Sequence, residues 1–268
     1  MPIVVLESSP SVPDVRPVTI NYREWGRGAV PLVFLHGGWG YEIYPFDKQI
    51  EAFGADFRII AADRSGYGRS TWIDDLQPDF HACAAVETLS FLDALGIEQA
   101  ILWGHSDGAV IAALLGLAAP ERFQGLILEA THCDRAKTRS KKFFEDMVTR
   151  PENLGERVCA TLAREHGDDY WRKVLEAGGR AWLRIIEESD QPEKDLYGGR
   201  LSELKVPAVL LHGSRDPRTE PGELVMIHSQ IPRVPIRVIE GAGHCPHSEK
   251  QSAGECNRLA GQFLESLR

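Results

Sequence analysis

An α/β fold, with a mostly parallel central sheet flanked by helices and an inserted helical cap, is what this 268-residue sequence predicts. Three observations predict it. Short apolar runs alternate with stretches of helical spacing, the pattern of a parallel sheet with crossover helices. Several runs end in loops rich in Gly, His, Ser and Asp, as at the carboxyl ends of strands in open sheets. One long segment, 132–200, interrupts the rhythm with no buried run of its own.

The elements follow in order. Val18 to Trp25 alternates in the manner of an edge strand, with Gly26 and Gly28 marking the turn after it. Pro31 to Leu35 is continuously apolar, as expected of a strand covered on both faces, and ends in His36-Gly37-Gly38-Trp39-Gly40. Arg58 to Ala62 is a further strand, followed by Asp63-Arg64-Ser65-Gly66-Tyr67-Gly68-Arg69-Ser70. Phe80 to Leu95 has helical spacing through Val86, Leu89, Phe91 and Leu92, and stops at Gly96. The run from Ala100 to Trp103 leads through Gly104-His105-Ser106-Asp107-Gly108 into a small-residue helix from Ala109 to Leu115. Gly125 to Ala130, Val206 to Leu211 and Ile236 to Ile239 complete the strands, and a last helix covers Ser252 to Leu267. A structureless loop spanning 132–200 is improbable in a compact domain. Its charged helical stretches, with Phe143, Phe144, Tyr170, Trp171 and Trp182 interspersed, predict a cap inserted into a core of residues 1–131 and 201–268.

Composition narrows the function classes. The chain is 43% hydrophobic and 26% charged, ordinary values for a soluble globular protein. A net charge of -9 argues against nucleic acid or an anionic membrane as the main partner. Met1 to Val15 lacks the basic and apolar regions of a leader, and the longest apolar run, Ala109 to Ala119, is too short to span a bilayer. Cys83, Cys133, Cys159, Cys245 and Cys256 are odd in number and form no C-x-x-C pair, which suits reduced thiols in a cytoplasm. A monomer or homodimer acting on a small molecule is the expected form.

Candidate site residues cluster at the ends of the runs. A serine between two glycines at a strand-to-helix corner has the form of a nucleophile elbow, so Ser106 is the candidate nucleophile. The bland alternative is a helix N-cap serine. A serine hydroxyl needs a base to take its proton, and the base needs a partner to hold its tautomer. His244 follows Gly241-Ala242-Gly243 after a strand and is the expected base, with His247 its neighbouring rival. Asp216 follows the 206–211 strand and is the expected acid; Asp190 and Asp195 lie at the end of the cap segment instead. An oxyanion hole needs two backbone N–H groups, expected from Asp107 and Gly38, with Trp39 second to Gly38. His36 is expected to brace that loop, and Asp63 and Arg64 to tie down the loop beside it. Trp39, Trp72, Phe143, Phe144, Trp171 and Trp182 are candidates for an apolar substrate pocket, or else plain core. His244, Cys245 and His247 lack a complementary ligand cluster of zinc-like spacing, so no metal is expected.

Through His36-Gly37-Gly38, the Asp63–Ser70 loop, the elbow, Asp216 and Gly243-His244, the chain resembles the α/β-hydrolase superfamily. The resemblance implies the α/β-hydrolase fold and cofactor-free hydrolysis of esters, amides, thioesters, lactones or carbon–carbon bonds. Ser106 departs from the aspartate nucleophile of haloalkane dehalogenases and epoxide hydrolases. A serine hydrolase cleaving a carboxylic ester through an acyl-enzyme is the expected function. A carbon–carbon bond hydrolase of ring-cleavage products, a lactonase or a thioesterase shares the same triad, and a non-catalytic ligand receptor shares the fold. Ser106-Asp107-Gly108 also looks like the biphenyl-hydrolase-like, or valacyclovir hydrolase, group, although His105 stands where that group has tryptophan. That likeness implies that Asp107 holds the α-ammonium of an amino-acid ester, whereas the plainer role is an acid stabilised by a helix N-terminus. On the sharper reading, Asp107→Ala lowers kcat/KM for amino-acid esters and spares neutral esters; equal losses on both would rule it out.

Overall fold

The computed structural model describes residues 1–189 and 195–268. In chain order the elements are β1 (Ile3–Leu6), β2 (Val18–Trp25), β3 (Val30–Leu35), α1 (Asp47–Phe53), β4 (Phe57–Ala62), α2 (Phe80–Ala94), β5 (Ala100–His105) and α3 (Asp107–Ala118). They continue with β6 (Phe123–Glu129), α4 (Lys141–Thr149), α5 (Glu156–His166), α6 (Trp171–Glu187), β7 (Ala208–Gly213), α7 (Glu223–Gln230), β8 (Ile236–Ile239) and α8 (Ala253–Ser266). The strands form one eight-stranded sheet in the order β1-β2-β4-β3-β5-β6-β7-β8. Pairing is antiparallel from β1 to β2 and from β2 to β4, and parallel everywhere else.

The strand period of two sorts the central side chains into two cores. Leu32, Phe34, Ile59, Ile101, Trp103 and Ile127 face one side, where Phe46 and the apolar stripe of α8 (Cys256, Ala260, Leu264) cover them. Val33, Leu35, Ile60, Leu102, Leu126 and Leu128 face the other and pack against α2 and α3. All six residues of β5 are buried. That double burial is why the central strands are apolar throughout rather than alternating.

Val18–Trp25 forms a strand over the expected span, but it is not the edge of the sheet. The four residues of β1 pair along its outer side, with Val4 and Leu6 buried and Ile3 and Val5 exposed. So brief an alternation carries little signal, and the one-sided burial of β2 reads as an edge. Strand β7 starts two residues later than expected, because Pro207 has no N–H for the ladder; its carbonyl instead accepts the N–H of Leu126.

Between β6 and β7 the chain carries α4, α5 and α6. Phe144 and Met147 of α4 and Gly178 and Trp182 of α6 border the same cavity as Ser106. The packing of α4 on α6 is close: at Gly179 a side chain would meet the Phe144 carbonyl.

The corner from β5 into α3 depends on two glycines. A Cβ at Gly104 would overlap the carbonyl oxygen of Gly108, and one at Gly108 would overlap that of Leu35. Ser106, between them, holds φ 55° and ψ -121°, a strained conformation for a residue with a side chain. Gly108→Ala is therefore expected to cost about 3 kcal/mol or more, or to prevent soluble folding, because backbone rather than a flexible side chain would have to move. Urea unfolding checks this, and wild-type stability in the variant would refute the close-packing account.

Candidate active site

Three loops at the carboxyl ends of β5, β7 and β8 bring Ser106, Asp216 and His244 together. His244 Nε2 lies 3.0 Å from Ser106 Oγ, and His244 Nδ1 lies 3.0 and 2.9 Å from the two Asp216 oxygens. Asp216 Oδ1 also accepts the Arg218 N–H at 2.8 Å. Burial opposes the charge on Asp216, but the His244 charge and hydrogen bond outweigh it and hold the carboxyl well below the usual range. An ionised acid there fixes the proton on Nδ1 and leaves Nε2 to accept from the serine. The rival acids lie elsewhere: Asp195 caps its own turn by accepting the Tyr197 and Gly199 N–H groups, and Asp190 lies outside the described residues.

Ser106 opens onto a cavity of about 350 Å³, at the small end of the range for ligand pockets. Gly37, Gly38, Trp39 and Asp107 lie on its wall. Asp107 is the first residue of α3, where the N–H has no partner within the helix. The carboxylate of Asp107 is buried; its Oδ1 lies 3.0 Å from His81 Nε2, and its Oδ2 lies against the backbone of Gly38. Burial opposes its ionisation and the His81 hydrogen bond outweighs that, so its pKa is lowered.

The His36–Trp39 loop is held from below. Arg64 donates to the carbonyls of both His36 and Gly37, the latter at 3.2 Å, while His36 Nε2 accepts the Arg64 N–H. Burial drives the His36 pKa well down, consistent with a neutral ring that donates from Nδ1 to the Gly37 carbonyl. Asp63 pairs with Arg23 and accepts the Arg69 N–H. The same loop is also held by α5. Glu165 accepts the Tyr41 and Glu42 N–H groups at 2.7 and 3.0 Å, and His166 bridges the Gly68 N–H to the Trp39 carbonyl. No sequence motif announced this second brace.

The aromatic candidates divide. Trp39, Phe143, Phe144 and Trp182 line the cavity, and Phe144 stacks on Trp182 at 5.1 Å. Trp171 does not: it is buried in the helical core with the Arg172 guanidinium over its ring. Trp72 does not either, being 57% exposed and stacked on Tyr170. Helical spacing separates apolar from polar faces but does not say which apolar residue borders a void, as at Trp171, and Trp72 lies in a loop with no period at all, so neither is the pocket residue expected. The sequence also left Tyr44, His132, Lys137, Met147 and Arg218 unnoticed on the wall. Arg218 had a signal, since it sits two residues after Asp216 in a loop at a strand end.

Behind the elbow, at the end of a strand expected from the sequence, lies a buried acid that no motif singles out. Glu129 ends β6 and accepts from Trp103 Nε1 at 2.8 Å and from the His247 N–H and Nδ1 at 3.0 and 2.7 Å. His247 Nε2 faces the Tyr44 carbonyl at 2.9 Å, so both ring nitrogens face acceptors. His105, Glu129 and His247 bring potential ligand atoms within 4.8 Å of one another. His247 and Glu129 are bonded to each other, while His105 Nε2 lies 3.0 Å from the His244 carbonyl. Burial, with the charges of His247 and His244, lowers the His105 pKa to about 3. A neutral His105 thus supports the loop that carries His244.

Burial also opposes the charge on Glu129, but the charge and hydrogen bonds of His247 prevail and bring its pKa to about 2. The stabilisation from this carboxylate is complete above its unfolded value of about 4.3 and is lost as the pH falls towards about 2. Glu129→Gln should therefore flatten the loss of stability between pH 4.5 and 2 (about one unfolded-state pKa down to the native one) in urea titrations. Glu129→Ala should cost about 3 kcal/mol at neutral pH, because Trp103 and His247 lose their acceptor. A pH profile for Glu129→Gln as steep as the wild type would contradict this assignment.

Comparison with known proteins gives a consistent picture. A family model described as alpha/beta hydrolase family matches residues 32–257. The serine hydrolase BPHL of Homo sapiens is 24% identical over 254 residues, spanning 94% of this chain and 84% of the relative. A 2-hydroxy-6-oxononadienedioate/2-hydroxy-6-oxononatrienedioate hydrolase of Burkholderia vietnamiensis is 28% identical over 280 residues, spanning 94% and 93%. Among solved structures, a thermophilic esterase from Thermogutta terrifontis superposes with a TM-score of 0.72 at 21% identity, covering 100% of this chain and 99% of that one.

Proposed function

The chain belongs to the alpha/beta hydrolase family, and on that premise we propose that it cleaves a carboxylic ester of a small molecule through an acyl-enzyme. The observation that carries this reading is the continuous Asp216–His244–Ser106 hydrogen-bond chain opening onto the cavity. His244 takes the Ser106 proton as Oγ attacks the ester carbonyl. Asp216 holds the imidazole and stabilises its cationic form. The developing oxyanion is met by the N–H groups of Asp107 and Gly38, with Trp39 the alternative to Gly38. His244 then protonates the departing alcohol, and the acyl group stays on Ser106. A water molecule, deprotonated by His244, attacks the acyl carbon; the carboxylic acid leaves and Ser106 regains its proton.

In this reading the helices between β6 and β7 act as a cap. Phe143, Phe144, Met147 and Trp182 give the substrate an apolar roof, and the low polarity there strengthens each hydrogen bond to the oxyanion. Hydrolysis of a carbon–carbon bond in a ring-cleavage product is the second reading. It is favoured by the Burkholderia vietnamiensis relative, which is named a hydrolase of 2-hydroxy-6-oxononadienedioate, a substrate with no ester in its name, and which matches nearly the whole chain. The two differ in the leaving group, a carbanion equivalent rather than an alkoxide, and need the same triad.

A panel of simple alkyl esters, lactones, thioesters and dienedioate ring-cleavage products separates them. Ser106→Ala is expected to lower kcat for the preferred substrate by about 10⁴-fold or more. Retention of wild-type activity in Ser106→Ala would sink the acyl-enzyme mechanism.

A further inference from the structure

Two cationic side chains stand on the cavity wall, Lys137 and Arg218, and their surroundings are opposite. Lys137 is 1% exposed and fully matched: Glu223 accepts from it at 2.8 and 2.9 Å, and it also meets His132 Nδ1 at 2.9 Å and the Arg218 carbonyl at 3.3 Å. Arg218 has no such partner. Its guanidinium lies over the Phe143 ring, and among the described residues it makes no ion pair and no side-chain hydrogen bond. Yet its backbone is pinned on both sides. Its N–H donates to Asp216, and its carbonyl accepts from Lys137 and Ser140.

The acidic groups on and near the wall do not pair with it: Asp216, whose charge reaches the guanidinium, is bonded to His244. Asp107 is engaged by His81. Glu249 accepts the Gly243 and Cys245 N–H groups at 2.9 and 3.2 Å, together with Gln251 Nε2. Glu223 is matched by Lys137. Partial burial without an ion-pair partner is unfavourable for a guanidinium, and desolvation lowers the Arg218 pKa although the charges of Tyr44 and Asp216 oppose it. A planar fork of donors, stacked on an aromatic ring and facing the void that Ser106 faces, is suited to one planar anion.

We propose that Arg218 is a substrate-binding residue and that the substrate carries a carboxylate, paired with the Arg218 guanidinium while the bond to be cleaved lies at Ser106. The inference rests on the ester-hydrolase reading and narrows it to half-esters of dicarboxylic acids, or esters of hydroxy acids. Lys137 does not compete for the anion, because Glu223 already balances it. Phe143 shields the pair from water on one side.

Binding and turnover test this separately. Monoethyl glutarate is titrated calorimetrically into Ser106→Ala protein carrying either Arg218 or the Arg218→Met change. The expected result is about 10- to 100-fold weaker binding with Met, the loss of one charge-assisted pair. Equal affinity overturns the proposal, and this outcome does not depend on catalysis. For turnover, monoethyl succinate, glutarate and adipate are compared with ethyl butyrate, pentanoate and hexanoate, and O-butyryl glycolate with ethyl butyrate. The largest of the four charged-to-neutral kcat/KM ratios should fall about 10- to 100-fold in Arg218→Met, mainly through KM, and less in Arg218→Lys, which keeps the charge without the fork. General damage to the triad cancels in that ratio, so an unchanged ratio also overturns the proposal. Absence of ethyl ester cleavage by the wild type would instead overturn the ester reading, while the binding arm still decides the anion site.

Discussion

Everything at the candidate site hangs on one steric fit, the approach of the α3 backbone to the ends of β3 and β5. Gly108 sits against the Leu35 and His36 carbonyls, and Gly104 against Gly108. Only hydrogen atoms fit at those two positions, and the corner between them turns tightly enough to hold Ser106 at positive φ. The same contact sets the first turn of α3 beside the loop after β3. The Asp107 carboxylate therefore lies against Gly38 because two backbones touch, and the strain at Ser106 is held by the buried elements on either side.

A second layer of order comes from buried carboxylates, each matched to a partner distant in the chain. Asp216 meets His244, Glu129 meets His247, Glu223 meets Lys137, and Asp107 meets His81. Such pairs are weak sources of net stability, since desolvation offsets most of the attraction. They are strongly directional, however, and an unpaired member would be costly. Each pair thus fixes one loop against another: Glu129 ties the end of β6 to the loop after β8, and Glu223 ties the start of α7 to the segment entering α4. Glu165 and His166 do the same between α5 and the loops carrying Trp39 and Gly68. Against this background of matched charges, Arg218 stands out as a cation whose backbone is held and whose guanidinium, packed on Phe143, has no ion-pair partner among the described residues.

Much of the architecture is legible in the sequence itself. The central strands declared themselves because burial on both faces demands unbroken apolar runs, and the loops after them declared their chemistry through residue type. β1, α1 and α7 did not, because elements of four to eight residues carry too few periods to rise above their surroundings. Trp171 and Trp182 look alike on the same helix, yet one is sealed in the helical core and the other borders the cavity. Which side of a helix meets a void depends on what its neighbours leave unfilled.

The sequence by itself determined the strand-and-helix order, the glycine-flanked serine corner, and the strand-end positions of Asp216 and His244. These are local properties, written in periods of two and 3.6 and in residues that only certain turns accept. Tertiary structure alone decided that the three side chains meet within hydrogen-bond distance, and which side chains wall the cavity. It also decided that Lys137 is neutralised by a residue 86 positions away while Arg218 has no ion pair among the described residues. Charge balance inside a cavity is a sum over segments that touch only after folding, so no window of sequence contains it.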